Sequence, residues 1–310
     1  MFRKLSFVLL TLMLGLFACK PAITPVPTID GTISLTDGLG RIVTIAHPAQ
    51  KVVSLAPSNT EILFAIGAGS QTIGRDEFSD YPAEAKSLPS IGGSMGKYNT
   101  EQIAALKPDL VLAAEINTPE QVKTLSDLGL TVYYLSNPKT LDDLYTNLET
   151  VAKLTAHQSD AASLIASLKI RVAAVDAEVS QLSSRPTVFY EIDASAPDKP
   201  YTVGPGSFAN VLINRAGGTN LVELAGIKDA YPQISLEQVV TINPTIIVLG
   251  DSMWGTTAES VAQRPGWDKL AAVQNKQVYT FDDNLVSRPG PRLIDGLEAL
   301  AKLFHPGVIK

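Results

Sequence analysis

Hydrophobic positions fall into short runs separated by polar, glycine- and proline-rich turns, and the period inside the runs changes along the chain. Thr32 to Ile45 (TISLTDGLGRIVTI) predicts a β-hairpin with Asp37-Gly38 as its turn. Lys51 to Leu55 (KVVSL) predicts a buried strand, followed by a helix over Asn59 to Ile66. Ser58 and Glu61 stand at capping-box spacing, and Gly67 is placed to stop that helix. Asp109 to Ala114 predicts a further strand, Thr118-Pro119-Glu120 opens a helix that Gly129 ends, and Thr131 to Leu135 returns as a strand. Alternation of this kind folds as a parallel sheet flanked by helices.

From Thr140 to about Leu182 the period is helical, interrupted near Thr155 to His157. Leu164, Leu168, Val172, Val175 and Val179 recur at intervals of three and four, which predicts one long helix with an apolar stripe. Beyond Ser183 to Pro186 the alternation resumes, through Thr187 to Ile192, Ser207 to Ala216 and Thr245 to Leu249. An internal repeat links the two blocks: Glu101 to Leu112 (EQIAALKPDLVL) aligns without gaps with Glu237 to Val248 (EQVVTINPTIIV). Asn99 with Gln102, and Ser235 with Gln238, have capping-box spacing at the two helix starts, so each glutamate lies in a first helical turn. Gly129 to Tyr133 is echoed by Asn275 to Tyr279. The expected fold is α/β: two Rossmann-like lobes, residues 31–139 and 185–310, braced by a helical segment over residues 140–184.

The first segment is of another kind. Residues 1–18 combine Arg3 and Lys4 with an apolar run from Leu5 to Ala18, too short to span a bilayer and shaped like a secretory signal. Leu16-Phe17-Ala18-Cys19 resembles a bacterial lipobox, which makes Cys19, the sole cysteine of 310 residues, the expected lipidated N-terminus. Residues 19–30 contain three prolines without periodicity and read as a tether. The expected product is a membrane-anchored lipoprotein outside the cytoplasm, with a water-soluble body. A hydrophobic content of 45% rules out wholesale disorder, and a net charge of −6 offers no basic footprint for nucleic acid.

Candidate chemistry is sparse. His47, His157 and His305 are far apart in sequence, so no metal site is expected, and His157 and His305 read as surface residues. Gly92 to Gly96 fits G-x-S-x-G, but no strand runs directly into Ser94 and no helix follows at once. A serine hydrolase built on Ser94 and His305 is therefore the rival reading to a glycine-rich loop, and no catalytic residue is assigned. Open α/β sheets place ligands at the carboxyl ends of their strands. That rule selects Ser58, Asn59, Phe78, Met95, Tyr98 and Glu115 to Asn117 in the first block. In the second it selects Glu191, Tyr201, Tyr231, Asp251 to Trp254, Asn284 and Arg288. Aromatic residues there can stack on a flat ligand while charged groups orient its rim.

Several of these stretches together resemble one family. Val52 to Glu61 (VVSLAPSNTE), Gly67 to Gly69, Asp80 to Pro82, Leu106 to Val111 and Arg288 to Arg292 (RPGPR) are similar to the class III, helical-backbone substrate-binding proteins of ABC importers. Those proteins bind vitamin B12, haem or ferric siderophores. The resemblance implies a rigid interdomain helix, a ligand cleft between lobes that move little, and a monomer without catalysis or resident cofactor. It also implies that Glu101 and Glu237 dock onto arginines of a dimeric ABC permease. Phe78, Met95, Tyr231 and Asn284 match corrinoid contacts, with Met95 in place of a tryptophan and Asn284 in place of an aspartate that Asp282 or Asp283 could replace. Cobalamin is the first expectation. A ferric siderophore would draw on Arg288 and Arg292, and haem on Tyr98 or Tyr231.

Overall fold

The computed structural model describes residues 31–93 and 96–309. The expected signal segment, Cys19 and tether, and also Ser94 and Met95, lie outside the described residues. Among the described residues no helix is long and apolar enough to cross a membrane.

Strands β1 (Ile33–Thr36) and β2 (Ile42–Ile45) form the antiparallel hairpin. Its turn is wider than Asp37-Gly38. The Asp37 carboxylate accepts the backbone N–H groups of Leu39 and Arg41, and Gly40, at φ +76°, takes the left-handed position. Gly38 serves a different end, close approach: its N–H donates to the Tyr134 carbonyl, and a Cβ there would meet the Tyr134 ring at 2.9 Å.

The first lobe is built on β3 (Val52–Ser54), β4 (Thr72–Arg75), β5 (Leu110–Ala114) and β6 (Val132–Leu135), parallel throughout in the order β4-β3-β5-β6. β5 and β6 are buried along their whole length, as expected for strands covered on both faces. Helices α1 (Pro57–Ala65), α2 (Thr100–Ala105) and α3 (Pro119–Asp127) flank this sheet. Thr118 caps α3 in a complete capping box with Gln121. The start of α1 differs from the expectation. Pro57 occupies the first turn after an extended Ala56 with no side-chain cap, and Glu61 turns away from the helix terminus toward an arginine of the other lobe.

Helices α4 (Leu141–Thr155) and α5 (Gln158–Val179) follow, separated by Ala156 at φ 65°. Leu168, Val172 and Val175 are buried, and Leu164 and Val179 pack against the same core, so the apolar stripe predicted for this helix faces inward.

The second lobe has β7 (Thr187–Asp193), β8 (Tyr201–Thr202), β9 (Thr219–Asn220), β10 (Ile246–Leu249) and β11 (Val278–Thr280). Its order is β11-β10-β7-β8, with β9 parallel to β7 and only β8 antiparallel. Helices α6 (Phe208–Arg215), α7 (Leu221–Leu224), α8 (Leu236–Ile242), α9 (Ala258–Ala262), α10 (Ala271–Gln274), α11 (Asn284–Ser287) and α12 (Leu293–Phe304) surround it.

The repeat has a structural counterpart. Asn99 and Ser235 cap α2 and α8 by accepting the N–H of Gln102 and Gln238, although only Ser235 completes the reciprocal box. Lys107 (φ 49°) and Asn243 (φ 55°) both adopt the left-handed conformation just before a proline, and each leads into a central buried strand, β5 or β10. One apolar core runs from the hairpin through α4 and α5 to β7, β10, α6 and α12. Two smaller cores lie on the other faces of the sheets, around Val111 in one lobe and around Trp267 in the other. His305, expected at the surface, is buried: Gly217 (φ +83°) makes room for its ring, since a Cβ there would lie 2.6 Å from Nε2.

Candidate functional site

The carboxyl ends of the strands of both lobes border a common cleft. Its main chamber, about 590 Å³, is lined by the segments after β3 (Leu55 to Ser58), β4 (Asp76, Phe78) and β5 (Ala114 to Ile116). Gly93, Gly96, Tyr98 and Asn137 complete the first lobe's wall, and Ser287, Arg288 and Pro289 close it from the second lobe. A second chamber of about 360 Å³ shares Glu115, Asn137, Ser287 and Pro289 with the first and extends to Lys139, Phe208 and Tyr231. The cleft thus has the concave form and the size range of small-molecule sites.

Of the residues singled out in the sequence, Ser58, Phe78, Tyr98, Glu115, Ile116 and Arg288 line the main chamber, and Glu115 and Tyr231 the second. Phe78 and Tyr231 are both more than half exposed, free to meet a ligand face on. The Tyr98 hydroxyl is occupied: it donates to the Leu55 carbonyl at 2.9 Å and accepts from the Asn117 amide at 2.7 Å, so its ring, not its oxygen, faces the chamber.

Others lie outside the walls of these two chambers, Asn117 and Asp251 to Trp254 among them. Asn59 is buried and donates to the Leu112 carbonyl, joining α1 to β5. Glu191 sits on β7 with the same parity as Phe189. Alternation of side chains along a strand therefore turns both toward the Trp267 core and away from the cleft. There Arg264 donates two hydrogen bonds to Glu191, at 2.6 and 2.8 Å, and stacks over Trp267. Tyr201 lies on the β8 edge, paired with Asp193 and bridged to Gln233. Trp254 follows β10 and is 81% exposed, and Asn284 donates its amide locally to Asp282. Asp76 and Asn137 complete the wall without having been singled out as candidates, although Asn137 follows β6 just as Glu115 follows β5.

An ion-pair network crosses between the lobes behind the main chamber. Arg292 donates to both oxygens of Glu61, at 2.6 and 2.9 Å, and stacks 4.1 Å from the centroid of Tyr81. Arg288 donates to Asp80 at 2.6 Å and approaches Glu61 at 3.5 Å. The two arginines that a ferric siderophore would draw on are thus already paired. Burial raises the Asp76 carboxyl above its ordinary range, against the opposing hydrogen bond from Ser79. Burial pushes Glu191 up to about 7, with Arg264 opposing and Asp251 adding to the rise. Among the described residues no group of three or more His, Cys, Asp or Glu side chains could hold a metal ion.

A family model described as "Periplasmic binding protein" matches residues 52–285. An uncharacterised ABC transporter substrate-binding lipoprotein of Bacillus subtilis is 32% identical over 281 residues, covering 90% of this chain and 87% of that protein. A vitamin B12-binding protein of Vibrio cholerae is 32% identical over 258 residues, covering 81% of this chain and 87% of its own length. The apo structure of a periplasmic haem-binding protein from Roseiflexus superposes with a TM-score of 0.74 at 26% identity, over 83% of this chain and 98% of that one.

Proposed function

Because the chain belongs to the periplasmic binding protein family, we propose that it is the substrate-binding component of an ABC importer and that it carries a cobalamin in the cleft between its lobes. The observation that carries this reading is the two-chambered cleft, walled by strand ends of both lobes and flanked by exposed aromatic rings on each side, Phe78 and Tyr231. Such a site binds a broad, flat molecule by burying its faces and fixing its polar rim with a few placed groups. Reversible binding needs no nucleophile. His305 is buried beside Gly217 in the second lobe, which supports a packing role for it over a catalytic one.

Haem is the second reading, supported by the Roseiflexus relative and by Tyr231, which stands in the second chamber. Cobalamin stands first because the vitamin B12-binding relative is 32% identical over 81% of this chain, whereas the haem-binding neighbour is 26% identical. The protein works outside the cytoplasm, tethered by a lipid on Cys19, and hands its cargo to a permease through Glu101 and Glu237, one exposed acid per lobe. Titration of the chain from Lys20 onward with cyanocobalamin, haemin and a ferric hydroxamate, followed by visible absorbance and calorimetry, tests the ligand. Tight binding of cyanocobalamin is expected, and its absence removes the cobalamin assignment.

A further inference from the structure

We propose that Asp80 is a built-in counter-ion that closes Arg288 to anionic ligands and so favours neutral or cationic groups in the main chamber. The inference rests on the reading of the interlobe cleft as the ligand site. Among the described residues Arg288 is the only cation lining the main chamber, while Asp76 and Glu115 are acids of the same wall. Its guanidinium is 13% exposed and donates to Asp80 at 2.6 Å, with Glu61 at 3.5 Å behind it. Glu61 is already held by two bonds from Arg292, so Asp80 is the principal partner of Arg288.

The position of Asp80 is fixed from both sides. Ser79 is fully buried, bonded to Thr60 at 2.8 Å and donating to Asp76, and Tyr81 lies flat beneath Arg292. The carboxylate is therefore held over the arginine without the entropy cost that two free surface side chains would meet. Burial alone would raise the Asp80 carboxyl, but the hydrogen bond and charge of Arg288 outweigh it and leave it below the ordinary range.

An anionic ligand reaching for Arg288 would exchange one charge-assisted hydrogen bond for another and would leave the displaced carboxylate beside its own charge. A neutral or cationic ligand leaves the pair intact and meets the acids Asp76 and Glu115 in the main chamber. Discrimination of this kind comes from repulsion of the wrong partner as much as from attraction of the right one.

The test is the ratio of haemin affinity to cyanocobalamin affinity, measured by absorbance titration on the purified mature chain. Asp80→Asn is expected to raise that ratio roughly three- to tenfold, Asp80→Glu to leave it near the wild-type value, and Asp80→Asn/Arg288→Gln to abolish the gain. Asp80 is half exposed, so the single variant is expected to fold. A ratio that does not move in Asp80→Asn, or that moves equally without Arg288, overturns the counter-ion role while leaving the cleft reading in place. Failure of the wild-type chain to bind either ligand overturns both.

Discussion

Glu61 and Arg292 meet across the two lobes in a two-bond ion pair, at 2.6 and 2.9 Å, with the carboxylate side chain 1% exposed and the guanidinium 13% exposed. A buried ion pair adds little net stability over a well-packed apolar pair, but removing one partner strands the other charge. Glu61→Gln is therefore expected to lower unfolding free energy by about 3 kcal/mol, read from urea denaturation. A loss below about 1 kcal/mol would mean that solvent reaches Arg292 easily.

Stability should fall as pH rises through the range set by Glu191. A glutamate in the unfolded chain titrates near 4.5, while burial carries the folded residue to about 7. Between those values the folded protein holds a proton that the unfolded chain has released, so the contribution is complete below 4.5 and gone above about 7. The decline is expected to reach at most about 3 kcal/mol, measured as denaturation midpoints from pH 5 to pH 8. Glu191→Gln, which cannot release a proton, should flatten most of it. The slope left in that variant combines a fall from Asp76 and Asp283, both raised by burial, with an opposing rise from His305, whose imidazole burial lowers.

Gly250→Ala should damage the second lobe although φ is ordinary there. Its Cβ would lie 2.7 Å from the Tyr190 ring, 2.9 Å from the Asp283 carboxylate and 3.0 Å from the Glu191 carbonyl. Expected destabilisation is about 1–3 kcal/mol, seen as a lowered Tm. Gly31→Ala, with nothing within 4 Å, should leave Tm in place.

Glu101→Ala/Glu237→Ala is expected to retain ligand binding and abolish uptake, measured side by side on purified protein and in cells carrying the importer. Both acids lie in the first turn of capped helices, where the helix dipole favours them by about 0.3–1 kcal/mol each. A double variant with full uptake contradicts docking and leaves only that stabilising role.

Much of the scaffold was legible because its signals are local. The stripe from Leu164 to Val179, the cap at Thr118 and the stop at Gly67 each depend on neighbours within a few residues, and each is found where it was expected. The partners of charged side chains are not local. Glu61 has capping-box spacing to Ser58, yet its partner Arg292 lies 231 positions away, a separation that no short-range pattern encodes. Glu191 stands near the carboxyl end of β7, as a cleft residue should, but one position of parity turns it to the other face of the sheet. Position along the chain identified which loops reach the cleft, whereas the direction of each side chain depended on packing.

The unbroken apolar core that joins the hairpin, α5 and α12 has a mechanical consequence. A pivot needs a seam where two bodies can separate without wetting oily surface, and this interior offers none along its length. Spreading the jaws would also strip the Glu61 carboxylate from Arg292. Thermal breathing alone is then a poor way to widen the cleft, since apolar contacts and a buried ion pair must give way together.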